Sequence, residues 1–271
     1  AGARLKRAQI AATTSRPYVV KMQELINNIT SSVKNIETLP KIIKGSETNK
    51  IHLIILITSD RGLCGGFNTA IARLAKKRIN ELLNSNKIVQ ILCIGKKGYN
   101  QLKREYKDLI IDTIILPYKS NKVDYEFAQK ISHRILMMYE NDKFDFVSII
   151  FSLFRSPLKQ EPQLKQIIPV LNNDENTTKN SDESRDKRIY EYEPEEEYIL
   201  KNLIPHNISI QIYRGLLENA AGEEGARMIA MDNATRNAGE LIDSLTLNYN
   251  RSRQAQITKE LIEVISGAEA V

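Results

Sequence analysis

From just after Pro205 to Val271 the chain contains no proline, and the glycines of that stretch, Gly215, Gly222, Gly225, Gly239 and Gly267, stand singly. Nothing in it breaks a helix, so it predicts one helix of about 65 residues, roughly 100 Å at 1.5 Å per residue. A compact domain of this chain's 271 residues has a radius of gyration of about 18 Å. A helix of that length must project from such a body. Isolated helices are marginal in water, so some other surface is expected to cover the projecting part.

The pattern within the stretch says what kind of cover. Tyr213, Leu217, Ala220, Arg227, Met231, Ala234, Ala238, Leu241 and Leu245 recur mostly at steps of three, four or seven, as in a coiled-coil seam. Beyond that seam Asn248, Ser252 and Lys259 weaken the heptad. The tip turns apolar again at Ile257, Leu261, Ile262, Val264 and Ile265, as if it enters apolar surroundings supplied by another molecule. The obvious partner for the seam is the chain's own N-terminal segment. Residues 1–44 place Val19, Met22, Leu25, Ile26, Ile29, Val33 and Ile36 at helical spacing. Pro17 should bend that helix, since it lacks an N–H and crowds the preceding turn.

Between these helices the period changes. Short β-branched runs at Ile51–Ile57, Ile88–Ile94, Leu109–Leu116 and Phe144–Leu153 alternate with helical patterns at Thr69–Leu83, Lys97–Tyr106 and Tyr125–Tyr139. Gln163–Val170 could add an edge strand. Alternating strands and helices imply an open, mostly parallel sheet with helices on both faces. The expected fold class is therefore α/β: a long coiled coil of N- and C-terminal helices with an inserted Rossmann-like domain. The expected boundaries are 1–44 for the first helix, 45–204 for the α/β body and 205–271 for the last helix. Residues 172–188 carry only polar side chains and are expected to form a mobile loop.

Charge and composition exclude several functions. Net charge is +6, but residues 1–44 hold eight Lys/Arg against two acids, whereas residues 172–197 hold ten acids against four bases. The basic arm has one aromatic, Tyr18, so stacking on bases is poorly supported and no nucleic-acid partner is expected. The longest apolar runs fall far short of the roughly 20 residues of a membrane span, and no signal peptide is recognisable. Cys64 and Cys93 read as two free thiols in a reducing compartment. His52, His133 and His206 are scattered, and nothing is spaced as a metal site. The chain opens on Ala1 in what reads as mid-helix, so further N-terminal residues are expected upstream.

The one stretch that invites an enzymatic reading is Ser59–Asn68, SDRGLCGGFN, between the first strand and the first body helix. Strand, glycine loop and helix is how a nucleotide-binding fold begins. The spacing is G-x-x-G-G, however, and no Lys follows to meet a phosphate. A tight strand-to-helix turn explains it as well, with Asp60 as a turn cap rather than a metal ligand. The alternative of a nucleotide-binding α/β enzyme using residues 59–68 stays open at this point.

Several motifs together carry a family resemblance. They are Arg227-Met228-Ile229-Ala230-Met231, Ala234-Thr235-Arg236-Asn237-Ala238, the run Leu247 to Leu261 (LNYNRSRQAQITKEL) and the ending Ser266-Gly267-Ala268-Glu269-Ala270-Val271. All resemble the gamma subunits of rotary (F-type) ATP synthases, in their bacterial form. SDRGLCGGFN is similar to that family's central loop, and Ala1–Gln9 with Ser15-Arg16-Pro17-Tyr18 to its N-terminal helix. The likeness spans the whole chain. About 25 residues of the family's N-terminus would lie upstream.

The resemblance implies a non-catalytic central-stalk rotor without a cofactor. Its coiled coil would stand in the bore of an alpha–beta hexamer, and its body would grip the epsilon subunit and the membrane ring of c subunits. Turning with the ring, it would couple proton flow to conformational change at the beta-subunit catalytic sites. It would be peripheral to the cytoplasmic face of a bacterial inner membrane rather than the matrix side of a mitochondrial one. Arg253 and Gln254 match the family's motif at a beta-subunit loop, with Thr258 and Glu260 as weaker members. Arg227 falls on the seam, where a charge needs a partner; Glu223, one turn back, is a local one and a neighbouring subunit another. Tyr190, Tyr192 and Glu193 match a foot segment that touches the c-ring. The cysteine-pair insert of photosynthetic members is not in the sequence, so thiol control is not expected.

Overall fold

The computed structural model describes residues 2–32, 40–45, 49–117, 123–170 and 196–269. In chain order the elements are α1 (Gly2–Ser32), α2 (Lys41–Lys44), β1 (Ile51–Ile57), α3 (Phe67–Asn84), β2 (Ile88–Ile94) and α4 (Lys96–Tyr106). A 3-10 turn (Lys107–Leu109) then leads to β3 (Ile110–Ile114), α5 (Tyr125–Glu140), β4 (Phe146–Ser156), β5 (Lys159–Ile168) and α6 (Glu196–Glu269).

The strands form one sheet in the order β3-β2-β1-β4-β5. β1 pairs in parallel with β2 and with β4, and β2 in parallel with β3; β5 closes the far edge antiparallel to β4. β1 and β2 are almost wholly apolar because both of their faces are covered. Alternation then sorts the side chains. Leu53, Ile55 and Ile57 join Ile131 and Ile135 of α5 and Ile208, Ile212 and Leu216 of α6 in one core. Ile54 and Leu56 join Ile71, Ala75 and Ile79 of α3 and Leu102 of α4 in the other. The result is the three-layer α/β arrangement expected from alternating strands and helices.

α1 runs without interruption through Pro17. Its Ile26 and Ile29 are buried in the larger core, and its Leu5 and Ala12 pack with Phe154, Leu217 and Ala221 in a third cluster. By compactness the chain divides into residues Ala1–Met228 and residues Ile229–Val271. The second unit, as far as it is described, is the continuation of α6. Among the described residues no helix is long and apolar enough to cross a membrane.

Candidate functional site

In an open α/β sheet, ligands bind beyond the carboxyl ends of the strands where the strand order reverses. Here that switch point lies between β1 and β4, and the loop after β1 is SDRGLCGGFN. Its polar groups are turned inward. Asn68 accepts from the Ser59 N–H at 3.0 Å and donates to Ser59 Oγ at 2.8 Å and Cys64 Sγ at 3.2 Å. Asp60 accepts from the Lys96 N–H at 2.6 Å and from the Leu116 N–H at 2.9 Å. The Ser59 carbonyl takes the Lys97 N–H at 3.0 Å, and Thr58 Oγ1 takes the Gly98 N–H at 2.8 Å. The first free N–H groups of α4 are thus taken by this loop and by Thr58 just before it. Asp60 works as a cap supplied from another segment.

The crevice is also crossed by a helix. α6 lies across it close enough that a Cβ built on Gly222 would stand 2.8 Å from Phe67 Cε2 and 3.5 Å from Gln160 Cγ. A Cβ on Gly225 would stand 3.2 Å from Phe154 Cε2 and 3.3 Å from Pro157 Cα. Of the glycines that stand singly in the sequence, Gly222 and Gly225 are where the long helix presses on the strand ends, while Gly239 and Gly267 have nothing within 4 Å. Arg227, expected to need a partner, has two on its own helix: Glu223, and Glu224 at 2.7 Å. Burial pushes the Glu223 carboxyl up, against the pull of Arg227. Among the described residues, no group of three or more His, Cys, Asp or Glu could hold a metal. Cys64 and Cys93 are buried free thiols, and burial pushes Cys93 up to about 12.

A second cluster was not legible in advance. Glu218, whose side chain has no exposed surface, accepts from Arg16 Nε at 2.7 Å, Arg16 Nη2 at 2.9 Å and the Phe154 N–H at 3.0 Å. Arg16 Nη2 also donates to the Phe154 carbonyl at 2.6 Å. One charge pair therefore fastens α1, α6 and β4 together. Further toward the start of α6, His206 lies between two tyrosine hydroxyls, Tyr18 of α1 at 3.1 Å and Tyr125 of α5 at 2.8 Å. Sequence alone marks Arg16 and Glu218 as ordinary helical charges. Their pairing crosses 202 residues.

The unit beyond Met228 has the opposite character. Every residue from Met231 to Gly267 is exposed, including Leu241, Ile242, Leu245, Leu247, Tyr249, Ile257, Leu261, Ile262, Val264 and Ile265. Large apolar side chains open on all sides of a helix mark an interaction surface. Arg253, Gln254, Thr258 and Glu260 lie within it and are exposed. Thr258 donates to the Gln254 carbonyl at 2.9 Å, and Gln256 donates to Glu260 at 3.1 Å. Tyr190, Tyr192 and Glu193, and the loop 172–188, lie outside the described residues.

The chain resembles known proteins over its whole length. A family model described as ATP synthase matches residues 1–271. The ATP synthase gamma chain of Pelagibacter ubique (strain HTCC1062) is 47% identical over 272 residues, covering 100% of this chain and 91% of that protein. The gamma chain of Sinorhizobium medicae (strain WSM419) is 48% identical over 271 residues with the same coverage. Among solved structures, the central stalk and c-ring of the Tetrahymena thermophila mitochondrial ATP synthase has a similar chain with a TM-score of 0.58 at 22% identity, covering 86% of this chain and 98% of that one. A chain of the Euglena gracilis mitochondrial ATP synthase, from its OSCP/F1/c-ring structure, has a TM-score of 0.59 at 19% identity, covering 99% and 91%. At these identities the structural likenesses speak for the fold.

Proposed function

Because the chain belongs to the family of ATP synthase gamma chains, we propose that it is the non-catalytic rotor of such an enzyme. It transmits rotation between a membrane ring and the catalytic sites of the surrounding subunits, in the direction of ATP synthesis or hydrolysis. The observation that carries this reading is the combination of a sheet crevice crossed by α6 with a helical stretch, residues 231–267, exposed on every face. Asp60, Ser59 and Thr58 hold the start of α4, so the loop 59–68 braces the fold. The shaft is a surface waiting for others.

Its partners in this reading are alpha and beta subunits around residues 229–271, and an epsilon subunit and c-ring at the body. Residues 1–44 pair with residues 205–271 as a coiled coil, and residues 45–204 form the body between them. The packing of Leu5 and Ala12 with Leu217 and Ala221 supports that pairing at its lower end. Arg253 and Gln254 contact a beta-subunit loop, with Thr258 and Glu260 beside them. A planar guanidinium offers a forked donor for a carboxylate there. Arg227 serves the same surface from within its pairing with Glu223 and Glu224. Tyr190, Tyr192 and Glu193 belong to the foot that meets the c-ring. The chain is peripheral to a bacterial inner membrane, on its cytoplasmic face, held through the membrane sector.

Replacing Arg253 and Gln254 together by Ala tests the contact. Both side chains are exposed, so the double variant keeps the circular dichroism and melting behaviour of the parent chain. In the assembled complex its ATP hydrolysis rate falls by about tenfold, the equivalent of about 1.4 kcal/mol in activation free energy. Unchanged turnover and unchanged torque in the complex would remove these two residues from the contact.

A further inference from the structure

β4 outruns its parallel neighbour. Its pairing with β1 ends at Ile150, whereas its pairing with β5 continues to Ser156. Beyond Ile150, among the described residues, no strand lies along the other edge of the β4–β5 hairpin. At Phe154 two side chains stand in for one. The Phe154 N–H donates to Glu218 Oε2 at 3.0 Å, and the Phe154 carbonyl accepts from Arg16 Nη2 at 2.6 Å. The same guanidinium donates twice to the same carboxylate, at 2.7 and 2.9 Å. These bonds close a ring through α1, β4 and α6.

The packing around the ring is smoother. Ala12 of α1 and Ala221 of α6 share one small apolar cluster with Phe154, Leu5 and Leu217. Gly225 comes so near the hairpin that a Cβ there would stand 3.3 Å from Pro157 Cα. Small residues let the elements approach but offer little to interdigitate, and apolar contact is non-directional. Such a surface resists separation better than it resists sliding. Hydrogen bonds are directional and weaken steeply as the donor angle falls. A fork of two parallel bonds also fixes the guanidinium against the carboxylate. The ring is therefore the part of this contact that opposes twisting of α6 against the sheet.

We propose that Arg16 and Glu218 are positioning residues for torque: they key α1 and α6 to the β4–β5 hairpin, so that the long helix and the sheet turn in step. The inference rests on the rotor reading, in which load on residues 229–271 reaches the body along α6. Neither side chain touches a reacting group. Their work is the stiffness of the joint between shaft and body.

The test is made in the complex with alpha and beta subunits, the hexamer fixed to a surface and a bead attached to the body. Lys77→Cys on α3 is exposed and takes the bead, while Cys64 and Cys93 are buried. The bead then feels the shaft only through the joint, and its angular spread during a pause reads the joint's stiffness. Glu218→Gln keeps the shape and an acceptor for the Phe154 N–H but loses the charge. Arg16→Lys keeps the charge but cannot fork. Both are expected to widen the spread while ATP hydrolysis stays at the parent rate. Ile79→Val, in the core with α3 and α4, lowers the urea midpoint and leaves the spread unchanged. A spread as narrow as the parent's in both joint variants, or one widened equally by Ile79→Val, overturns the proposal. A parent complex that hydrolyses ATP without turning the bead removes the rotor reading instead. Amide exchange of the free full chain reads the joint without assembly, and so also decides for a variant that does not assemble. Glu218→Gln should speed exchange in residues 12–19 and 213–225 by a larger factor than in β1 and α3. Equal factors would mark Glu218 as a general stabiliser and overturn the proposal.

Discussion

Glu218 has no exposed side-chain surface and yet accepts three hydrogen bonds, two from one guanidinium. A buried carboxylate is tolerable only because every lone-pair direction toward α1 and β4 is used. Its replacement by Ala leaves the Phe154 N–H without an acceptor and Arg16 without a counter-charge. Arg16 is about one-third exposed (32%), so its freed charge reaches water and softens the loss. The expected cost is about 1–3 kcal/mol, read as a lowered urea midpoint at unchanged slope. His52 gives a second handle. It is buried, stacked on Phe146 at 4.9 Å and bonded through Nε2 to Asn49 Oδ1 at 2.7 Å. Burial, then Arg78 and Lys87, lower its pKa to about 4. The unfolded chain, whose histidine titrates at about pH 6.5, binds the proton first. Stability therefore falls as pH drops from about 6.5 to about 4, and His52→Gln should flatten that part of the curve. An unaltered slope in the variant would show that other groups set it.

At the level of elements, α6 has two lives. Up to Met228 its buried side chains belong to the cores of the α/β body; from Met231 to Gly267 every side chain is exposed. A helix without packing is only marginally stable. Amide hydrogen exchange of the free chain should therefore be slow for Ile208–Leu217 and orders of magnitude faster for Leu241–Ile265, with protection of the latter gained on assembly. Equal protection of both in the free chain would contradict this picture. Much of this was legible beforehand. β1 and β2 begin and end where their β-branched runs do, because both are buried on two faces and leave no polar alternation to misread. β5 was less legible: Lys159–Ile168 carries Lys159, Gln160, Glu161, Gln163 and Lys165 on an edge strand, and only its apolar end stood out. The long helix was expected from about Pro205, yet it begins at Glu196 and takes in residues 196–204 as well. Proline loses one N–H and crowds the preceding turn, but here the burial of Leu200, Ile204 and Ile208 in the larger core carries the helix past it. The clasp of Arg16 on Glu218 was invisible because nothing in the local spacing of either helix announces a contact 202 residues away.

For the molecule as a whole, the doubly wound sheet is a fold that usually offers a ligand site, and this chain spends that site on holding its own helix. SDRGLCGGFN keeps the outline of a phosphate loop, but its Asp60 and Ser59, with Thr58 just before it, cap α4 and its Phe67 seats Gly222. What remains exposed is a surface for partners, and ATP turnover in those partners depends on it. The most direct measurement mixes the chain with alpha and beta subunits of the same source, isolates the complex by size exclusion and assays ATP hydrolysis. The account predicts one copy of this chain per hexamer and multisite hydrolysis that is lost when the chain is left out. A hexamer that assembles and turns over equally well without it, while the chain elutes alone, would contradict the account.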